Sequence, residues 1–510
     1  MLDPRLSPAT LAKSLGTWRD DGPLHQGLTA RLRLLIMDGR IPTDTVVPSE
    51  RALAEAIGAS RTTVSAAYDA LRESGHLASR RGSGTRAQLP GPTLSAPGVL
   101  GGEHLIDLNQ ASLPASALVP AALRAAADEL PQFLGGTGYD TRGLPHLRQA
   151  LADHYTARGL PTGSEQILVT LGAQHAIHLV AQTLLRRGDR ALVESPTYPH
   201  AMESLRLAGA RLLTTPVRPV APETHGGDAD GWDIGGLEDV LRSARPRLAY
   251  LMPELHNPTG STMLPATRRR LLAAAAQSGT TLIVDETTAP LRITASVPDD
   301  AGLSLGAPLG SAAAWDGDGG RAGTHDRPGA ASVVHLGSAS KIFWGGLRVG
   351  WIRAESHLIE ALLRARPMLD LGTPVVEQLA TAHLLGHYPQ AILERSGQLR
   401  HGAETLSRLC AEHLPEWSLP PLPGGLAAWV TLPRPASSAL SLSARDHGVL
   451  LPAGARFGPD GSAFERRVRL PITVGPDTLE LAIPALAEAW GALAKGAPPR
   501  RRPALNPSLV

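Results

Sequence analysis

Six short apolar runs, several of them separated by stretches of helical periodicity, constrain this chain more than any other feature. They fall at 167–170, 191–194, 212–217, 248–252, 282–284 and 333–336, with 268–277 as one of the helical stretches between them. Parallel neighbours in a sheet need long crossovers, usually helices, so the alternation predicts an α/β fold with mostly parallel strands. In such folds ligand chemistry collects in the loops at the strand ends. At 510 residues the chain is long for one domain, and its 43% apolar content is enough for a sizeable core.

The first 87 residues read differently. Leu28, Leu32, Leu35 and Ile36 share one helical face. Pro48-Ser49 offers a helix start, and a second stripe of Leu53, Ala54 and Ile57 stops at Gly58. Ser60 opens a third helix with Val64, Tyr68 and Leu71 inward, and 77–79 and 85–87 can pair around Arg80-Arg81-Gly82-Ser83-Gly84. Two short helices joined at Gly58-Ala59, the second beginning Ser60-Arg61-Thr62-Thr63, make a helix-turn-helix whose polar end suits a major groove. A small helical bundle with a solvated arginine loop has the same pattern. The net charge of +2 gives no global field for nucleic acid, so any such contact is local.

The expected units are 20–87, a Pro/Gly-rich linker at 88–104, a large unit at 105–495 and a disordered tail at 496–510; 306–331, rich in Gly, Ala and Asp, reads as a mobile insertion. One cysteine, Cys410, leaves no internal disulfide framework and suits a reducing compartment. No run approaches the roughly 20 apolar residues of a membrane span. The expectation is a soluble cytoplasmic protein, associated with the nucleoid if it binds DNA, with no membrane partner and no metal site.

The string Val47-Pro48-Ser49-Glu50-Arg51, Leu53-Ala54, Ser60-Arg61-Thr62-Thr63-Val64, Leu71, Gly75 and Arg81-Gly82-Ser83-Gly84-Thr85 closely resembles the GntR family of winged-helix regulators over about 23–87. The resemblance implies DNA contacts from Arg51, Arg61, Thr62, Thr63, Arg81 and Gly82. Ser65 stands where family members often carry another arginine, which points to a different base preference.

The large unit carries candidates for everything that pyridoxal 5′-phosphate (PLP) requires. Lys341, one of three lysines with Lys13 and Lys495, follows an apolar run in Gly337-Ser338-Ala339-Ser340-Lys341 and can supply the amine. Ser338, Ser340 and Arg348 can meet the phosphate. Gly172-Ala173-Gln174 opens a helix, and backbone N–H groups of Ala173 and Gln174 there form an anion site. Asp285 at a strand end can hold the pyridine nitrogen protonated, Asn257 can donate to the ring oxygen, and Tyr198 can stack on the ring. Each also has a plain reading: a solvated lysine, a turn aspartate, an Asn-Pro-Thr-Gly turn, a core tyrosine.

Their order, with Gly138-Tyr139, Glu194-x-Pro196-x-Tyr198 and Val468-Arg469-Leu470, resembles the fold-type I aminotransferases from about 105 to 493. That resemblance implies that Arg469 clamps a ligand carboxylate, for which the surface-strand reading is the alternative. It also implies that Tyr139 reaches the phosphate of a partner subunit, hence a homodimer. The whole chain resembles the MocR subfamily of GntR regulators, implying PLP-dependent control of vitamin B6 or amine metabolism, a DNA operator, and a small amino or keto effector. Two departures matter: no tyrosine follows Asp285-Glu286-Thr287-Thr288, and Gly345 replaces a proline after the lysine. They favour sensing over transamination. An active aminotransferase with an accessory DNA-binding unit and a scaffold with a dead pocket are the other readings.

Overall fold

The computed structural model describes residues 5–16, 18–19, 23–80, 84–88, 105–219, 230–293, 309, 331–459 and 463–494. Arg81, Gly82, the expected linker beyond Gln88, nearly all of 306–331 and the tail at 496–510 lie outside them.

The first unit holds helices α1 (Pro8–Leu15), α2 (Leu24–Met37), α3 (Glu50–Ile57) and α4 (Arg61–Glu73), then a hairpin of β1 (Leu77–Arg80) and β2 (Gly84–Ala87). The expected stripes are buried, except that Ile57 packs only half-buried against the core. Ser49 and Ser60 accept from Ala52 N (3.3 Å) and Thr63 N (3.0 Å), satisfying first-turn donors of α3 and α4. Gly58 ends α3 at φ +61°, a left-handed turn that a side chain would strain. The core also begins ahead of residue 20: Leu11, Leu15 and Trp18 are buried in it. Three apolar positions over so short a stretch are too little periodicity to mark a helix.

In the second unit β3 (Ile106–Asp107) is followed by α5 (Val119–Glu129), α6 (Pro145–Ala157), β4 (Ile167–Thr170) and α7 (Ala173–Leu184). Next come β5 (Arg190–Ser195), α8 (Pro199–Leu207), β6 (Arg211–Pro216), α9 (Ile234–Ala244), β7 (Leu248–Leu251), α10 (Pro265–Ser278) and β8 (Thr281–Asp285). Beyond 331 are β9 (Val333–Ser338), α11 (Ala339–Ile342), β10 (Gly350–Arg353), α12 (Ser356–Ala365), α13 (Val375–Leu385) and the long α14 (Tyr388–His413). The unit closes with β11 (Ala427–Thr431), α15 (Ser437–Asp446), β12 (Val449–Leu450), β13 (Arg467–Pro471) and α16 (Pro476–Ala494).

All six expected strands form, and with β10 they make a seven-stranded sheet ordered β4-β10-β9-β8-β7-β5-β6. Only β10 runs antiparallel to its neighbours. The sequence does not announce it, because Gly350 and Arg353 leave only two apolar residues between them, too few to make a run. The carboxyl ends of β4, β5, β7, β8 and β9 therefore share one edge, where loops can converge on a ligand. A smaller lobe pairs β11 with β13 and β12 with β3 around Leu399, Leu406, Leu440, Val468 and Ala482. Helix α14 joins the lobes, its Ala391 in the core beside the sheet and its Leu399 in the smaller one.

Candidate cofactor site and nucleic-acid interface

Strand β9 ends at Ser338, whose Oγ accepts from Ser340 N at 3.1 Å and caps α11. That turn carries Lys341, whose Nζ donates to Ala111 O (2.7 Å) and Ser112 Oγ (3.0 Å). Burial lowers the ammonium's pKa from 10.5 to about 8; the Arg469 charge adds to the drop and Asp285 opposes it. Such an amine is deprotonated far more often near neutrality than an ordinary lysine, as attack on a carbonyl requires. Arg395 of α14, buried, ties the turn to the early segment by donating to Ile342 O (2.8 Å) and Pro114 O (2.9 Å).

Asp285 is buried at the end of β8. One oxygen accepts from Tyr250 Oη at 2.6 Å, the other from Thr287 N (2.9 Å) and Thr287 Oγ1 (2.6 Å). Burial nevertheless raises its pKa, against the pull of those hydrogen bonds, and among the described residues no cation pairs with it. A protonated ring nitrogen would supply the positive partner that this carboxylate has none of among the described residues. Thr288 turns away, its Oγ1 donating to Glu254 O (2.9 Å). Tyr198 lies within the field of Asp285 and Arg469; burial first, then Asp285, lifts its phenol to about 12. The Asn257 amide is buried with its Oδ1 unpartnered.

Helix α7 begins at Ala173 with no side-chain cap, so the N–H groups of Ala173 and Gln174 remain open to an anion. Gly172 precedes them at φ +91°, where a Cβ would lie 3.1 Å from Arg348 Nη2. Arg348 Nη2 donates to Leu171 O (2.9 Å), which brings the guanidinium to this helix end. The Gln174 side chain faces α8 instead, Nε2 donating to Ser204 Oγ (3.0 Å). Ser338 is occupied in capping α11, and Ser340 is the half-buried hydroxyl with no side-chain hydrogen bond among the described residues. Tyr139 is 72% exposed, outside the site of its own chain.

Arg469 on β13 is buried opposite Trp429, stacked 5.1 Å from the Phe457 ring centroid. One Nη donates to Asn109 O, Nε is buried without a partner, and no carboxylate pairs with it among the described residues. Burial, then Arg456, depresses its pKa to about 10. A buried cation held this way calls for an anion from outside the chain. Sequence reasoning misses Tyr250, Thr287, Asn109, Ser112 and Arg395 as parts of the site. Only Thr287, two residues after Asp285, has a local signal, that of a turn hydroxyl. The amine, the carboxylate without a cation, the open helix end with its arginine and the unpaired guanidinium together fit PLP and a carboxylate-bearing ligand.

In the first unit Arg51, Arg61 and Thr62 are exposed and Thr63 is half-buried. The two threonine hydroxyls share hydrogen bonds with Ser60 Oγ (2.7 and 2.8 Å), which fixes the start of α4. Arg51 and Arg61 line one cleft of about 570 Å³ with Ser49, Gly84 and Thr85.

Residues 103–486 match the family described as aminotransferase class I and II, and residues 24–86 match bacterial regulatory proteins of the gntR family. The probable rhizopine catabolism regulatory protein MocR of Rhizobium meliloti is 28% identical over 78% of this chain and 79% of its own. The HTH-type transcriptional regulator TauR of Rhodobacter capsulatus is 27% identical over 92% of this chain and 96% of its own. Among solved structures, LysN, the alpha-aminoadipate aminotransferase of Thermus thermophilus complexed with N-(5′-phosphopyridoxyl)-L-leucine, superposes with a TM-score of 0.64 at 27% identity, covering 77% of this chain and 94% of its own.

Proposed function

This chain belongs to the class I and II aminotransferase family and carries a gntR-family unit ahead of that fold, and from that premise we propose that it is a DNA-binding transcription regulator that uses PLP to sense a small amino or keto compound. The observation that carries the reading is the union of both units in one chain, which its likeness to TauR spans almost end to end. Among the described residues no helix is long and apolar enough to cross a membrane.

PLP bound here supplies an electrophilic carbon and an electron-withdrawing ring. Lys341 would supply the amine that holds the cofactor, Asp285 would keep its ring nitrogen protonated, and the α7 N-terminus, Ser340 and Arg348 would hold its phosphate. Asn257 and Tyr198 orient the ring. Arg469 holds the ligand's carboxylate. No phenol follows Asp285, and neither threonine hydroxyl is free to take its place: Thr287 donates N and Oγ1 to Asp285, and Thr288 donates to a backbone carbonyl. That supports sensing over turnover.

The functional subunit pairs with a second copy. Support comes from the exposed Tyr139 and from Met368, 87% exposed, in a chain whose fold otherwise buries most of its apolar side chains. Arg51, Arg61, Thr62, Thr63, Arg81 and Gly82 contact the operator, and the protein acts in the cytoplasm at the nucleoid.

The test is a titration of purified protein with amino acids, followed by absorbance, keto-acid release and operator affinity together. A single spectral change with altered DNA affinity is expected. Arg469→Ala should weaken the ligand about tenfold or more while sparing bound PLP, since a charge-assisted pair contributes about 1.5–3 kcal/mol. Sustained keto-acid formation at about 1 s⁻¹ or faster, with DNA affinity unmoved, would establish the aminotransferase reading instead.

A further inference from the structure

Residues 5–16, 18 and 19 lie ahead of the stretch that matches the gntR family, yet they are built into the first unit. Leu11, Leu15 and Trp18 are buried in its core. Arg19 Nη2 donates to Ile57 O and Gly58 O, both at 2.9 Å, and so caps the carboxyl end of α3 at the turn between the two helices. At the other end of the segment, Leu6 N donates to Val46 O at 3.0 Å and Arg5 bridges Val46 in parallel. Val46 bridges Arg86 of β2 in turn, so the segment adds an edge to the wing hairpin.

This edge delivers Arg5 to the cleft that Arg51 and Arg61 line. All three arginines are exposed, and none forms a side-chain hydrogen bond or ion pair among the described residues. Glu50, also on the cleft, is already paired with Arg72 at 3.2 Å. Three like charges around one concavity repel each other unless an anion enters, and Ser49 and Thr85 add hydroxyl donors beside them. An anion that meets α3, α4 and the wing edge together has the reach of a duplex backbone.

We propose that Arg5 is a DNA-phosphate contact, and that this leading segment extends the operator interface through it beyond the winged helix itself. The proposal rests on the DNA-binding reading above and adds a residue to that surface. Arg5 sits on the edge beside Val46 and not on α4, so its contact is assigned to positioning on the backbone and not to reading a base.

The experiment measures affinity against salt for the full-length holoprotein on two duplexes, one selected from a random library with the parent protein and one of mixed sequence. Each phosphate neutralised contributes about 0.9 to the slope of log affinity against log salt. Arg5→Gln should lower that slope by about 1 and weaken both duplexes by the same factor, with Arg5→Lys restoring the slope. Arg61→Ala should weaken the selected duplex more than the mixed one. Unchanged slope in Arg5→Gln while Arg61→Ala loses selectivity overturns the Arg5 contact and leaves the DNA reading standing. Failure of the parent to bind either duplex overturns both. Thermal melting of Arg5→Gln should match the parent, because the exposed side chain supports no packing.

Discussion

Lys341 sits between charges of opposite sign, and its reactivity records their balance. Burial and the Arg469 guanidinium disfavour the ammonium, and Asp285 favours it, which leaves the pKa at about 8. Protein stripped of cofactor should therefore recapture PLP at a rate that rises with pH around a midpoint near 8, not near 10.5. Removing the cation lifts a penalty on the charged form, so Arg469→Gln should move the midpoint up. Asp285→Asn removes a stabilising anion and should move it down. Stopped-flow absorbance across a pH series measures both; shifts in the reverse directions would mean that the two side chains do not act on Lys341. Lys341→Ala should lose the visible absorbance and all borohydride labelling, since Lys13 and Lys495 lie outside the site's motifs.

At the scale of elements, the proposed phosphate cradle depends on how α7 starts. Gly172 holds φ +91° and ψ 169°, a region open essentially to glycine, and a Cβ there would crowd Arg348. Gly172→Ala should cost about 1–3 kcal/mol in backbone strain and displace the guanidinium from the helix end. The affinity for PLP should fall about tenfold or more. Pyridoxal without its phosphate should be affected much less, and an equal loss for the two ligands would place the damage elsewhere than the cradle. The start of α7 is legible in the sequence, because a glycine followed by a helical stretch after an apolar strand is a local pattern. So are the caps at Ser49 and Ser60 and the stop at Gly58. Helix α1 is not, since its burial depends on α2 and α3 arriving to cover it.

Across the whole molecule, the two units meet at an ion pair between buried Arg31 and half-buried Glu465. Arg31 of α2 donates to Glu465 Oε1 at 2.8 Å and to Leu15 O at 2.7 Å, and Glu465 also accepts from Ser438 N at 2.9 Å. Glu465 lies four residues before Arg469, on the run that leads into β13, so a ligand held by Arg469 as proposed would sit on the same short segment that holds α2. Arg31→Met should leave PLP absorbance and basal DNA binding in place but abolish the effect of ligand on DNA affinity. It should also lower the melting temperature, because Glu465 loses its cationic partner and keeps only the hydrogen bonds from Ser438. DNA titrations with and without ligand are the check; a response equal to the parent's would show that coupling runs by another route. The sequence by itself determined the two units, the mostly parallel sheet, and the order of Lys341, Asp285, Asn257 and Gly172. These depend on strand periodicity, helix starts and turn chemistry, which neighbouring residues write locally. Only the tertiary structure decided that Tyr250 from an adjacent strand and Thr287 share the Asp285 carboxylate, and that Ala111 and Ser112 take the Lys341 amine from 230 and 229 residues away. It also decided that Arg469 and Arg31 are buried. Hydrogen bonds between lobes and the desolvation that sets a side chain's charge leave no period or spacing in the chain, because both arise only when distant segments close over the same volume.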